Sequence, residues 1–294
     1  MVLYIENTNV KKDKSIRPLF HNMVKNKSNN YKDNIGFYID FSYSDGSKYL
    51  NLETDKPKIF FNFNWLNYVE CKINKYLFIT MNSFNPNKSI KPKMTEERFT
   101  YLLKFFKYNS EYKKNINGDI VIILNNLKRG YFTNDLKTNN IYKYLTNLIN
   151  KIRTFTNRRI YIRFHPKDIL KGYDNEIFNR LDNKLNIYMD KNIDIISILN
   201  NSYCVFIQNS KVIFDFVNYG IPLFNLDLIK YNYFDNIYNN IEDINDIDKI
   251  TQINRLEFLK KYYPHIYTYD DWIKDDFIET VLSNYYIYPL NTLE

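Results

Sequence analysis

Two cysteines and three histidines are all that these 294 residues carry of either type, and each shortage excludes a class of chemistry. Cys71 and Cys204 are too few and too far apart for a disulfide framework, which points to a reducing compartment. His21, His165 and His265 have no ligand spacing among themselves or with the cysteines, and no DxD-type carboxylate pair stands at a strand end. Neither a metal nor a cofactor is therefore expected. Asp243, Asp246 and Asp248 read as a solvated acidic run beside a helix. No apolar run approaches the ~18 residues of a membrane span, and no basic segment leading into an apolar stretch stands near Met1. Internal repeats are absent as well. The expectation is a soluble, cytoplasmic chain with no transmembrane segment.

What the sequence does have is apolar mass and positive charge. Hydrophobic residues at 45% and aromatics at 18% are ample for a packed core. Lys plus Arg is 41 against 33 Asp plus Glu, a formal net charge of +8. That balance favours anionic partners in general: nucleic acid, membrane headgroups or a nucleotide-linked substrate. The basic runs at 11–14 and 25–32 are interrupted by Asp, Asn and Ser and read as solvated loops. No DNA- or RNA-binding motif accompanies the charge, so no specific nucleic-acid partner is expected, and peripheral contact with a membrane surface stays open.

Along the first half, strands are predicted at residues 2–6, 36–41, 58–63 and 76–81, with a helix near 17–27 and loop chemistry at 85–92. Thr95 is an N-cap, followed by Glu96 and Glu97 where the helix dipole favours acids. Phe99, Leu102, Leu103, Phe105 and Phe106 supply that helix with an apolar side. Asn115 to Gly118 break the pattern, and the domain boundary is expected there: residues 1–118, then 119–294 closing with a C-terminal helix. Beyond it, strands and helices alternate. Residues 119–124 (DIVIIL) form a nearly all-apolar run, as for a strand covered on both faces. Helices are predicted at 138–155, 173–181, 193–199 and 210–219, with strands at 159–164, 185–188, 203–208 and 221–224. This spacing implies a parallel sheet with right-handed crossovers.

Ligands of an open parallel sheet bind beyond the carboxyl ends of its strands. Three strand-end segments should share that rim: residues 125–130 with Lys128, Arg129 and Gly130; His165-Pro166-Lys167-Asp168; and Asn209-Ser210-Lys211. Their cations, histidine, serine and a helix N-terminus suit phosphate oxygens. Pro166 pins the chain as it leaves its strand and biases His165 towards an extended backbone, which could aim the imidazole at the rim. Asn209-Ser210 either cap a helix only, or cap it and present N–H groups to a phosphate. Asp215, about a turn further on, reads either as a partner for a ribose or sugar hydroxyl or as a surface carboxylate. Gly220-Ile221-Pro222 ends the helix through a glycine C-cap.

The order strand, His165-Pro166-Lys167, helix, an aspartate-led helix from Asp194 to Leu199, strand, Asn209-Ser210, helix, Tyr219-Gly220-Ile221-Pro222 resembles a known group. It is the donor half of the bacterial capsule and surface-polysaccharide glycosyltransferases. That group includes the Kdo transferases, the polysialyltransferases and the glycerophosphotransferases of teichoic acid synthesis. The chain looks most similar to uncharacterised members carried by phages and large DNA viruses. Their segment leading into the His-Pro pair is matched by Thr156 through Pro166 with Arg163, and their late tryptophan segment by Thr268-Tyr269-Asp270-Asp271-Trp272.

The resemblance implies an α/β fold of the GT-B kind, with two Rossmann-like halves built on parallel sheets and the N-terminal one reduced. It carries His165 and Ser210 over as contacts to nucleotide-sugar phosphates. The rim reading adds Lys128, Arg129, Gly130, Arg163, Lys167, Asn209, Lys211 and Asp215 as donor-site candidates. Catalytic candidates are His165 and, in the half where such enzymes hold the acceptor, Asp40 near the end of the 36–41 strand, with His21 second. Lys211 and Phe216 stand where small residues are usual, which implies a tighter or different pocket. The expected function is metal-independent transfer of a sugar from a nucleotide-activated donor to a glycan or other hydroxyl acceptor. Helix N-termini and cations would stabilise the leaving phosphate. The alternative is a catalytically degenerate binding or scaffold protein on the same fold; nucleic-acid binding has the charge alone behind it. The expected location is cytoplasmic, or host cytoplasm or virion for a viral member.

Overall fold

Two kinds of strand-forming run occur in this chain, and they build two different sheets. The computed structural model describes residues 24, 26, 36–39, 57–62, 76–81, 89–111, 115–125, 138–181, 186–190, 193–207, 210, 212–226, 237–245 and 255–285. The aromatic and β-branched runs of the first half form β1 (Gly36–Ile39), β2 (Lys58–Asn62) and β3 (Tyr76–Met81). Helix α1 (Glu96–Phe105) follows, and the Thr95 hydroxyl accepts the Arg98 N–H at 3.2 Å, as its N-cap position requires.

The second sheet is made of β4 (Asp119–Ile123), β5 (Ile160–Arg163), β6 (Ile187–Tyr188), β7 (Ser202–Ile207) and β8 (Leu223–Asn225). Between them run α2 (Thr138–Arg153), α3 (Pro166–Ile169) with α4 (Tyr173–Phe178), α5 (Ile195–Asn201) and α6 (Ile213–Tyr219). All pairings are parallel and the order is β6-β5-β4-β7-β8. This is the parallel sheet predicted from the alternation. Strand β4 lies at its centre, buried at every position. Its Ile120 and Ile122 pack in one core with Ile141, Leu145, Ile149 and Ile152 of α2, each such aliphatic side chain contributing roughly 1.5–3 kcal/mol by burial.

The amino end of this sheet is locked by polar groups. Asp119 receives two bonds from Arg159, at 2.9 and 3.0 Å, and a third from the Tyr188 hydroxyl at 2.6 Å. Gly118 precedes β4 where a Cβ would lie 2.6 Å from the Asn201 carbonyl oxygen and from the Tyr203 nitrogen, so the close approach of β7 demands glycine.

The chain continues through 3-10 turns at Ile241–Asn245 and Tyr263–His265, α7 (Arg255–Tyr262), β9 (Ile266–Thr268), α8 (Tyr269–Trp272) and α9 (Phe277–Asn284). Strand β9 pairs antiparallel with β3, giving a sheet ordered β1-β2-β3-β9. Within it β1 and β2 are parallel, whereas β2 and β3 are antiparallel. The expected parallel sheet of the first half is thus a mixed one. An antiparallel pair needs no crossover helix, and the pattern of a short strand does not encode its partner's direction.

By compactness the chain divides into Met1–Leu102 with Leu259–Glu294, and Leu103–Phe258. The division differs from the expected boundary after residue 118, because the last segment belongs with the first. In that unit Ile59, Phe61, Ile79 and Met81 share a core with Tyr267, Trp272, Phe277, Val281, Leu282 and Tyr285. Among the described residues no helix is long and apolar enough to cross a membrane.

Candidate functional site

The polar lock at the amino end leaves the carboxyl edge of the second sheet as the place for chemistry. Strands β4, β5 and β6 build outward to one side and β7 and β8 to the other, so the topological switch lies between β4 and β7. The strand ends are level: Ile123 is opposite Arg163, Ile122 opposite Phe206, and Ile207 opposite Asn225. With neighbouring strands ~4.8 Å apart, the ends of β5 and β7 stand about 10 Å from each other across β4.

Strand β5 leads through Phe164 and His165 over this edge into α3. The His165 carbonyl accepts the N–H groups of Asp168 at 2.8 Å and Ile169 at 3.2 Å, and Pro166 occupies the first helical position, where its missing N–H costs nothing. His165 and Arg163 are each half-buried. Asp168, predicted as part of this segment, is wholly buried. Lys167 belongs to α3 by its backbone.

Ser210 lies beyond the end of β7 and is half-buried. Helix α6 begins at Ile213, later than the sequence suggested, because the Ser210 carbonyl first closes a turn with the Ile213 N–H at 3.0 Å. The helix N-cap is Val212, with no side-chain cap bond, so the serine is not the capping residue. Asp215 is 1% exposed, which removes the surface-carboxylate alternative. Phe216 is wholly buried, so the bulk that departs from the family pattern fills the core. Arg163, His165 and Ser210 therefore share the predicted rim. Lys128, Arg129, Gly130, Asn209, Lys211, Asp40 and His21 lie outside the described residues.

A hollow of about 300 Å³ opens against Arg163 and Phe164, the residues that lead into His165. Residues 161–164 of the β5 segment form one side, with Ile169, Leu170, Met189 and Ile193 as apolar walls and Asp190 nearby. Two β5 side chains hold the far wall in place. The Tyr161 hydroxyl donates to the Asp190 carbonyl at 2.8 Å, and the Arg163 guanidinium donates to the Ile193 carbonyl at 3.0 Å. Sequence reasoning missed this hollow. Its signal was a methionine just past the end of β6 and a leucine just past α3, where polar residues are usual.

Two further supports were also missed in role. Asp194 caps α5, accepting the Ser197 N–H at 2.8 Å and its hydroxyl at 2.9 Å, and these bonds hold its carboxyl below the usual range. The aspartate of the aspartate-led helix is thus a helix cap. Arg255 donates to the carbonyls of Asn109, Ser110 and Val217 at 2.9, 2.7 and 3.0 Å, and so fastens the end of α6. The late tryptophan segment, in the other unit, is a clamp: Asp271 accepts from the Thr268 N–H and hydroxyl and pairs with both terminal nitrogens of Arg98 at 2.9 Å.

No family profile matches the chain, and no curated protein does. Solved structures do. One is KpsC of Thermosulfurimonas dismutans, a beta Kdo 2,7 transferase, at 12% identity over 82% of this chain and 88% of that one, with a TM-score of 0.43. The wall teichoic acid polymerase TagF matches in two structures at 18% and 16% identity, over 64% of this chain, with TM-scores of 0.30 and 0.29. In both cases the chain spans 47% of TagF's length. At such scores these likenesses carry no weight for mechanism, which is read from the chain's own residues.

Proposed function

We propose that this chain is a glycosyltransferase whose sugar comes from a nucleotide-activated donor held at the carboxyl rim of the second sheet. The observation behind this reading is the hollow of about 300 Å³ against Arg163 and Phe164 at the carboxyl end of β5, on the β6 side of the switch between β4 and β7. The nucleoside of the donor occupies the hollow. Its phosphates extend along the rim to His165 and Ser210, with Lys128, Arg129, Gly130, Lys167, Asn209 and Lys211 supplying further donors and positive charge. As the bond between the sugar and the phosphate breaks, negative charge grows on the leaving phosphate. Donors fixed in advance at that position stabilise the transition state more than the ground state. A carboxylate on the acceptor side, with Asp40 as the candidate, takes the proton of the attacking hydroxyl.

Binding of nucleoside mono- and diphosphates, followed as a rise in melting temperature, tests the reading. A preferred nucleotide at a hundred times its Kd should stabilise the protein by about 2.7 kcal/mol, and His165→Ala should abolish the shift. A panel of nucleotides that moves nothing would sink the proposal. The scaffold alternative predicts binding without turnover of any nucleotide-sugar. Two observations weigh against it: the bulk of Phe216 goes into the core, and residues 259–294 enlarge the first unit.

A further inference from the structure

Leu170 is 86% exposed, the most open large hydrophobic side chain among the described residues, and it stands at the lip of the hollow. A single exposed leucine is ordinary on a protein surface. Two features set this one apart. Its turn is pinned, since the Lys171 N–H bonds to the Asp168 carbonyl at 3.1 Å and the Gly172 N–H to the Ile169 carbonyl at 3.0 Å. Gly172, at a φ of +74°, then starts α4, a conformation that favours glycine. Leu170 also extends an apolar wall, begun by half-buried Ile169 and faced by Met189 and Ile193.

An occupant that covers Leu170 has to present a flat, weakly polar face and fit about 300 Å³. Of the two charged residues in the lining, Arg163 at the strand end suits an anionic extension of that occupant, and Asp190 stands exposed at the edge. A nucleoside phosphate meets both conditions and supplies the anion. A bare sugar phosphate lacks the apolar face. We propose that Leu170 is a specificity-determining residue: its side chain lies against the base of the bound donor, so that the rim retains nucleotides in preference to bare phosphates. This rests on the hollow being the seat of the donor's nucleoside.

Calorimetric titration of the full chain with AMP, GMP, CMP, UMP and inorganic pyrophosphate tests the role, with Leu170→Ala and Leu170→Met as variants. The nucleotide that the wild type prefers should bind Leu170→Ala about tenfold more weakly, roughly 1.4 kcal/mol. Leu170→Met should stay close to wild type, and pyrophosphate should bind all three proteins alike. The melting temperature without ligand should not move, since the side chain is exposed. Unchanged nucleotide affinity in Leu170→Ala overturns the role of Leu170 and leaves the nucleotide reading standing. An equal loss for nucleotide and pyrophosphate overturns it too, because that marks a general disturbance of the rim. A wild type that binds none of the nucleotides overturns both.

Discussion

At 1% exposure, His265 sits where a charged imidazole would be costly. Its Nδ1 lies 2.9 Å from the Ile79 carbonyl oxygen and 2.9 Å from the Tyr285 hydroxyl, which donates to the same carbonyl at 2.5 Å. The side chain thus ties β3 to the end of α9. Burial pushes its pKa down to about 4. On acidification the unfolded chain therefore takes up this proton first. The stability involved is whole above about pH 6.5 and declines as the pH falls towards 4, by about 3 kcal/mol in all. Urea unfolding followed by tryptophan fluorescence at pH 7.5 and 4.5 should show that decline in the wild type and a flatter dependence in His265→Gln. Equal slopes would show that His265 is not the group responsible. None of this was legible in the sequence, where His265 is one of three histidines without ligand spacing. A partner that is a main-chain carbonyl far away in the chain leaves no side-chain signature.

Helix α6 shows which element features the sequence does announce. Gly220 was readable as a C-cap, and it has a φ of +76°, with its N–H bonded to the Val217 carbonyl and the Ile221 N–H bonded to the Phe216 carbonyl. A Cβ there would also fall on the Glu111 carbonyl oxygen and come within 2.9 Å of an Arg255 nitrogen. Gly220→Ala should therefore cost about 2 kcal/mol or more, seen as a fall in melting temperature of roughly 4–8 °C. A fall of less than a degree would mean that the loop carrying Glu111 gives way easily. The helix start was misjudged for a related reason. Asn209 and Ser210 have cap-like chemistry, but the chain makes one more turn before α6 begins. Arg255 escaped notice because a cation on a short helix looks like a solvated one until its three carbonyl partners are seen.

At the scale of the molecule, the second sheet was legible because long apolar strands and amphipathic helices alternate, and that rhythm has few other solutions. The first sheet was less so. The direction of β3 is not written in its residues, and β9 is three residues long, too short to show a period. The division into Leu103–Phe258 and the remainder carries its own test. A fragment of residues 103–258 should fold alone, with dispersed amide resonances, because the cluster around β4 and α2 draws only on residues of that fragment. A chain stopped after residue 258 should lose the first unit's core, which needs Phe277, Val281 and Leu282. A collapsed, poorly dispersed 103–258 fragment would refute that autonomy. The late return of β9 also governs synthesis. Strand β3 leaves the ribosome with one edge unpaired, and its partner follows roughly 185 residues later, ~10–40 s at ~5–20 residues per second. Within that interval the middle of the chain can finish folding while the apolar strands before it wait open. The nascent first hundred residues are thus the stretch for which cellular chaperones and ribosome-bound aggregation would compete.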